Sequence, residues 1–356
     1  MPIENVDDLR DHIQTAIVVE ILVFPPYLYA MYSLADQASD AAKLIKSIAA
    51  EEMLHATLLA NILLGIGGEP RFYDPEVIPS YPTPLLHHKP ELILTLEPYS
   101  QALIERAFLA IERPGKPGAP AQVDEFESLG QFYSGLHEAT VAVAANEDIF
   151  TNPQVERQLH DPHGYLIPRY DSASSGGLVM VDSIAGANAV FDIVLHQGEG
   201  LSSDRYADPD HAELTHYAKF QLLDHEETGR RGVLPVVFNP TLETLPSDVQ
   251  PVAEFTNAVY SYLYVIMDRI FAPHTEDRHH QLGILYGSMI ALLGPLSRYL
   301  MTMPVDDTHV AGPPFQYYQF ADPANAEAEL RKLAAPLFGD HPKLQSVLRQ
   351  LDRLPK

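Results

Sequence analysis

The sequence predicts an all-α protein with long proline-rich loops. Three observations carry that prediction. Apolar residues recur at helical spacing over several long segments. The strict alternation of a half-buried strand is scarce. The 30 prolines gather largely in the stretches between the periodic segments.

Taken in order, residues 5–34 repeat apolar side chains at helical spacing, interrupted by Pro25 and Pro26. That pair removes backbone donors and should kink the helix. A second helix is predicted over 38–64, stopped by Gly65, Gly67 and Gly68. Residues 69–90 hold six prolines and read as an extended segment. A helix over 91–112, a loop over 114–122 and a helix over 124–147 follow, then irregular chain over 151–178. Two more helices are expected over 183–200 and 211–224. After a loop with Pro235, Pro240, Pro246 and Pro251 come two long apolar helices, 252–271 and 279–301. Short amphipathic helices are expected within 322–354, and no repeat of fixed period is visible. The chain divides into a bundle over 1–230 and additional helices over 231–356 that pack on it as one structural unit.

Composition narrows the function. Lys and Arg number 23 against 48 Asp and Glu, a net charge of −25. So acidic a chain has no excess of cations to displace phosphate counterions, which argues against nucleic acid and against anionic membranes. No cysteine is present, which excludes disulfides, thiolate metal sites and a cysteine nucleophile and fits a cytoplasmic protein. The N-terminal MPIENVDDLRDH lacks the basic start and apolar stretch of a signal peptide. The apolar runs look too short or too interrupted to span a bilayer. GIGG at 65–68 ends a helix and does not follow a strand, so it is no phosphate loop.

Chemistry concentrates in a few acids. Glu52-Met-Leu-His55 is a Glu-x-x-His, and residues three apart on a helix share a face. Glu213-Leu-Thr-His216 repeats the spacing. Glu20 stands inside the apolar run AIVVEILVF, and Glu199 ends DIVLHQGEG. An ionised carboxylate in such a run is costly unless it is paired, hydrogen-bonded or bound to metal. No Lys or Arg lies within 13–34 to pair with Glu20. Glu20, Glu52, His55, Glu199, Glu213 and His216 together make four carboxylates and two imidazoles. That is the ligand set of a carboxylate-bridged two-metal site in a four-helix bundle. Ligands of oxygen and nitrogen without sulfur suit iron, with manganese as the alternative. Glu199 and Glu213 are only 14 residues apart, which leaves little helix between them; Glu138 is the rival third-helix ligand. Glu51, about a hundred degrees around the helix from Glu52, reads as a supporting acid. Tyr27, Tyr29, Tyr32 and Tyr133 are candidate pocket groups, though aromatic residues mostly fill cores.

At these residues the sequence resembles the bacterial ferritin-like proteins related to the ferritin-like domain of the violacein-pathway enzyme that makes iminophenyl-pyruvate dimers. The resemblance rests on Glu20 before FPPYLYAMYSL, on AAEEMLHATLLANILLGIGGEP, on LGQFY at 129–133, HQGEG at 196–200 and ELTHYAKF at 213–220, with a weaker echo in GPPF at 312–315. It covers roughly 5–225. Gln131 departs from the glutamate usual in the third stretch. The resemblance implies a ferritin-like bundle with its metal on Glu20, Glu52, His55, Glu199 and His216. The function expected is a di-iron oxidase or oxygenase that uses dioxygen on a small organic, amino-acid-derived substrate of secondary metabolism. A ferroxidase without an organic substrate and a metal-free scaffold are the alternatives. This reading admits a homodimer and an external electron donor.

Overall fold

The computed structural model describes residues 3–115, 121–161, 177–198 and 214–355. Helix α1 (Val6–Ser33) starts at Asn5, whose side chain accepts the backbone N–H groups of Asp7 and Asp8. Those two acids also complement the positive end of the helix. α2 (Asp40–Gly65) is capped by Ser39. It ends where Gly67 takes a left-handed φ of +73° and Gly68 donates back to the Leu63 carbonyl at 2.7 Å.

α1 continues through Pro25 and Pro26. Pro26 has no N–H to give the Leu22 carbonyl one turn earlier. The Tyr81 hydroxyl donates to that carbonyl instead, at 2.6 Å. The proline-rich segment after α2 therefore repairs the helix before it. From Val19 to Ser33 every residue of α1 is buried. That explains why the helix is apolar all round: one side faces the bundle and the other the C-terminal helices.

Two short strands, β1 (Thr83–Pro84) and β2 (Ile93–Leu94), pair antiparallel. The helix predicted from residue 91 therefore begins only at Gln101, capped by Ser100. This α3, 101–111, contains a π-turn at Ile104–Phe108. α4 (Leu129–Asn146) is capped by Ser128, and α5 (Ile184–Gly198) follows. α1 packs on α2 and α4, and α5 packs on α4 and α2, which closes a four-helix bundle.

α6 (His216–Gln221) lies against α2, α3 and α5. It starts at His216, because Thr215 is extended and its side chain caps Ala218. The helix predicted over 211–224 is thus interrupted at Thr215, and residues 211–213 lie outside the described residues. α7 (His225–Arg231), α8 (Gln250–Phe271) and α9, 278–300 with a π-turn at Met289–Leu293, come next, then α10 (Ala326–Asp340). Side chains tie this half to the first. Asp268 accepts the N–H groups of Phe72 and Tyr73, and Arg157 donates to the Phe271 carbonyl.

α1 and α2 have the length and apolarity to cross a bilayer, contrary to the sequence expectation. Their most apolar stretches are 83% and 89% buried inside the fold, so protein consumes the surface that lipid would cover.

Candidate metal centre

Glu20 of α1 and Glu52 and His55 of α2 meet in the bundle interior, all nearly inaccessible to solvent. His55 Nδ1 lies 3.1 Å from Glu52 Oε2 and 3.6 Å from Glu20 Oε2. On the other side of Glu52 stands a second group. His216 Nδ1 lies 3.2 Å from Glu52 Oε1 and 3.4 Å from an oxygen of Glu112. Glu52 therefore belongs to both clusters, one oxygen to each. The two imidazoles face each other across it, ring centres 5.5 Å apart.

Four of the five ligand candidates are held from behind. His55 Nε2 bonds Gln197 Oε1 of α5 at 2.9 Å, and His216 Nε2 bonds Glu51 at 2.9 Å. The Lys219 ammonium, one helical turn beyond His216, also donates to Glu51. Tyr133 donates to Glu20. Tyr27 donates to Glu112 at 2.5 Å, and its ring is seated against Phe108 and Phe220.

Acids outnumber permanent cations here, and the imidazoles respond. Four buried carboxylates (Glu20, Glu51, Glu52, Glu112) surround one buried ammonium. Burial, aided by the Glu52 charge, raises the Glu20 carboxyl to about 7. Burial pulls His55 down, but its contacts with Glu20 and Glu52 outweigh that and raise it to about 10. Burial likewise opposes His216, which Glu52 and Glu112 lift well above its ordinary value. Burial would raise Glu51, yet His216 and Lys219 hold it below the usual carboxylate value. Glu52 is also held low against its burial, chiefly by His216. The carboxylates thus hold protons on both imidazoles, at the positions where a metal ion would supply the positive charge instead.

The donor set fits two divalent ions. His216 Nδ1 is buried and makes no well-formed hydrogen bond, although two carboxylates surround it. Its other nitrogen is held by a carboxylate, the arrangement that fixes a metal-binding imidazole in one tautomer.

The structure brings together Glu20, Glu52, His55 and His216 of the predicted six. Glu199 and Glu213 lie outside the described residues. Glu138 is exposed on α4, away from the centre. Gln131 accepts the Glu127 N–H at 2.8 Å, at the start of α4. Of the tyrosines, Tyr27 and Tyr133 touch the centre, whereas Tyr29 bonds the Val237 carbonyl in the core.

Sequence reasoning missed Glu112, Gln197 and Lys219. Glu112 did leave a signal: it is an acid at the C-terminal end of a helix, where the dipole disfavours negative charge. The π-turn just before it shifts the register of α3, a feature common at functional sites.

The family model for ferritin-like proteins matches residues 13–225. The chain is 24% identical to a 2-imino-3-(indol-3-yl)propanoate dimerase of Chromobacterium violaceum, over 88% of this chain and 34% of that protein. It is 24% identical to a dichlorochromopyrrolate synthase of Lentzea aerocolonigenes, over 88% of this chain and 36% of that one. It thus spans about a third of the length of these two relatives. A crystal structure of a ferritin-like protein from Caulobacter vibrioides matches with a TM-score of 0.60 at 20% identity, over 89% of this chain and 100% of that one. That likeness concerns the fold.

Proposed function

We propose, for a chain that belongs to the ferritin-like family, an oxidoreductase holding two metal ions, iron foremost, that acts with dioxygen on a small amino-acid-derived substrate in secondary metabolism. One observation carries the proposal: Glu52 is shared between two buried clusters, each with its own imidazole and its own further carboxylate. Glu20, Glu52 and His55 would hold one ion, and Glu52, Glu112 and His216 the other. A bound pair of iron ions supplies dioxygen activation and takes up or delivers electrons.

The protein's own groups do the rest. Tyr133 and Tyr27 each hold an oxygen of Glu20 and Glu112 respectively, which orients those carboxylates. Gln197 and the Lys219–Glu51 pair fix the imidazoles. Tyr27, Phe108 and Phe220 exclude water on the Glu112 side. On the Glu20 side the centre meets a cavity walled by Ile21, Phe24, Met53 and Leu263. An apolar space against a metal centre suits an organic substrate better than iron storage. The names of the two curated relatives describe enzymes whose compounds are carboxylates, which supports an amino-acid-derived substrate here.

Protein loaded anaerobically with ferrous iron should carry close to two metals per chain. Glu52→Ala and His216→Ala should lose them. A stoichiometry near zero, or variants that bind as the parent does, would sink the proposal. Oxygen uptake with candidate amino-acid-derived compounds separates the readings: turnover of iron alone, with no organic product, favours a ferroxidase.

A further inference from the structure

We propose that the groove between α1, α2 and the π-turn of α9 is the entrance for a substrate with an apolar body and a carboxylate, and that Lys46 holds the carboxylate. The inference rests on the two-metal reading above and names its substrate class.

Two spaces lie in series. The inner one is a cavity of about 30 Å³ that reaches Glu20 and Glu52. The outer one is a groove of about 300 Å³ that opens beside α2. Phe24 and Met53 line both, so these two side chains form the partition between surface and centre. The inner space holds little more than one or two water-sized molecules. A larger substrate enters only if the partition moves. Met53 is suited to that, since an unbranched thioether repacks at low cost.

The outer groove is apolar, with Met31, Met289 and Ile290 among its walls. Ile290 is 51% exposed, on a π-turn that carries Met289 and Ile290 to the groove. π-turns within helices recur at functional sites. The charged residues lining the groove are Lys43 and Lys46, with no acid among them, in a chain of net charge −25. A lining with cations and no acid is a local exception that favours an anion. Lys43 is paired with Asp40 at 3.2 Å. Lys46 has no ion pair among the described residues, which leaves its ammonium for a ligand.

The spacing fits the size of the ligand. Lys46 and Glu52 are both on α2, six residues apart. At a rise of 1.5 Å per residue that is about 9 Å along the helix, with the two positions about 120° apart around it, so about 9 Å is the shortest span a ligand must cover. An aromatic amino-acid skeleton can bridge it, with its carboxylate at Lys46 and its ring directed past Met53 toward the centre.

The protein has no tryptophan, so an indole ligand can be followed by its own fluorescence. The probes are 3-(indol-3-yl)propanoate and its uncharged amide, titrated against the full chain without metal and loaded with zinc. The acid should bind at least tenfold tighter than the amide. Lys46→Gln should reduce the acid to the affinity of the amide and leave the amide unchanged. Ala50→Phe, which fills the groove, should weaken both probes. Equal affinity for acid and amide, no effect of Lys46→Gln, or no binding of either probe overturns the proposal. Metal analysis of the same samples keeps the two readings apart. Lysine-independent binding with two metals present refutes the groove alone. Lysine-dependent binding in a chain that takes up no metal refutes the centre alone.

Discussion

Replacing Glu112 with glutamine should remove one metal while leaving the fold intact. An oxygen of Glu112 stands 3.4 Å from His216 Nδ1, beside the Glu52 oxygen at 3.2 Å. Glutamine keeps an oxygen that can accept the Tyr27 hydroxyl, so the contacts of Tyr27 with Phe108 and Phe220 survive. It removes the charge and the carboxylate donor. Changes behind a metal ligand cost 10- to 100-fold in affinity, and loss of a direct donor costs at least the upper figure, about 100-fold. By linkage, that removes about 2.7 kcal/mol of metal-induced stabilisation. In a chain of this size it is a loss of about 4 °C in the melting shift that metal produces. In metal-free protein the Glu112 charge repels that of Glu52 but supports that of His216, so the two effects oppose and the comparison is made on the metal-induced shift within each protein. The assay is scanning calorimetry under argon, with and without ferrous iron, alongside metal analysis that should fall from two ions to one. A variant that binds two ions with an undiminished melting shift would refute the assignment of Glu112.

Lys219→Met should destabilise the chain by about 3–5 kcal/mol in urea unfolding, since it strips a buried cation from buried Glu51. Adding Glu51→Gln should recover most of that loss, and no recovery would mean that the pair is not coupled. Metal uptake should release protons between pH 6 and 7, because the metal-free centre keeps protons on Glu20 up to about 7 and on His55 up to about 10. Calorimetric titrations in buffers of different ionisation enthalpy measure that release, and a value near zero contradicts it. Both folded values lie above the unfolded ones of 4.5 and 6.5. Stability of the metal-free form should thus fall as pH rises, through Glu20 from about 4.5 to 7 and through His55 from about 6.5 to 10, while metal binding strengthens. Tyr81→Phe should cost about 1–3 kcal/mol, the penalty for a buried carbonyl left without a donor, with metal content unchanged.

The long helices were legible because their signals are local. α1 and α2 declare themselves by period, cap and glycine stop, and those features act within a few residues of one another. The start of α3 was not legible. Residues 91–100 are apolar enough for either state, and the pairing of Ile93 and Leu94 with Thr83 and Pro84, a contact between distant positions, decides it. The first half of the centre was likewise readable, since Glu20 lies in an unpaired apolar run and Glu52 shares a helical face with His55.

The second half is where motif and mechanism part. The Glu213-Leu-Thr-His216 echo assumed one helix through all four residues, but Thr215 is extended and serves as the cap, so His216 opens α6. Helix termini depend on single cap residues, and a threonine one position before the histidine was a sufficient warning. Once α6 starts at His216, Lys219 falls three residues on, along the same face, and both reach Glu51. A carboxylate for His216 Nδ1 then comes from a different element, the end of α3. The sequence marks that acid by a conflict and not by a motif. Glu112 sits where a helix end repels negative charge, directly after the apolar residues of α3, and it is buried. Two unfavourable terms at one residue are the physical signature of a group kept for binding, and here they meet the His216 imidazole.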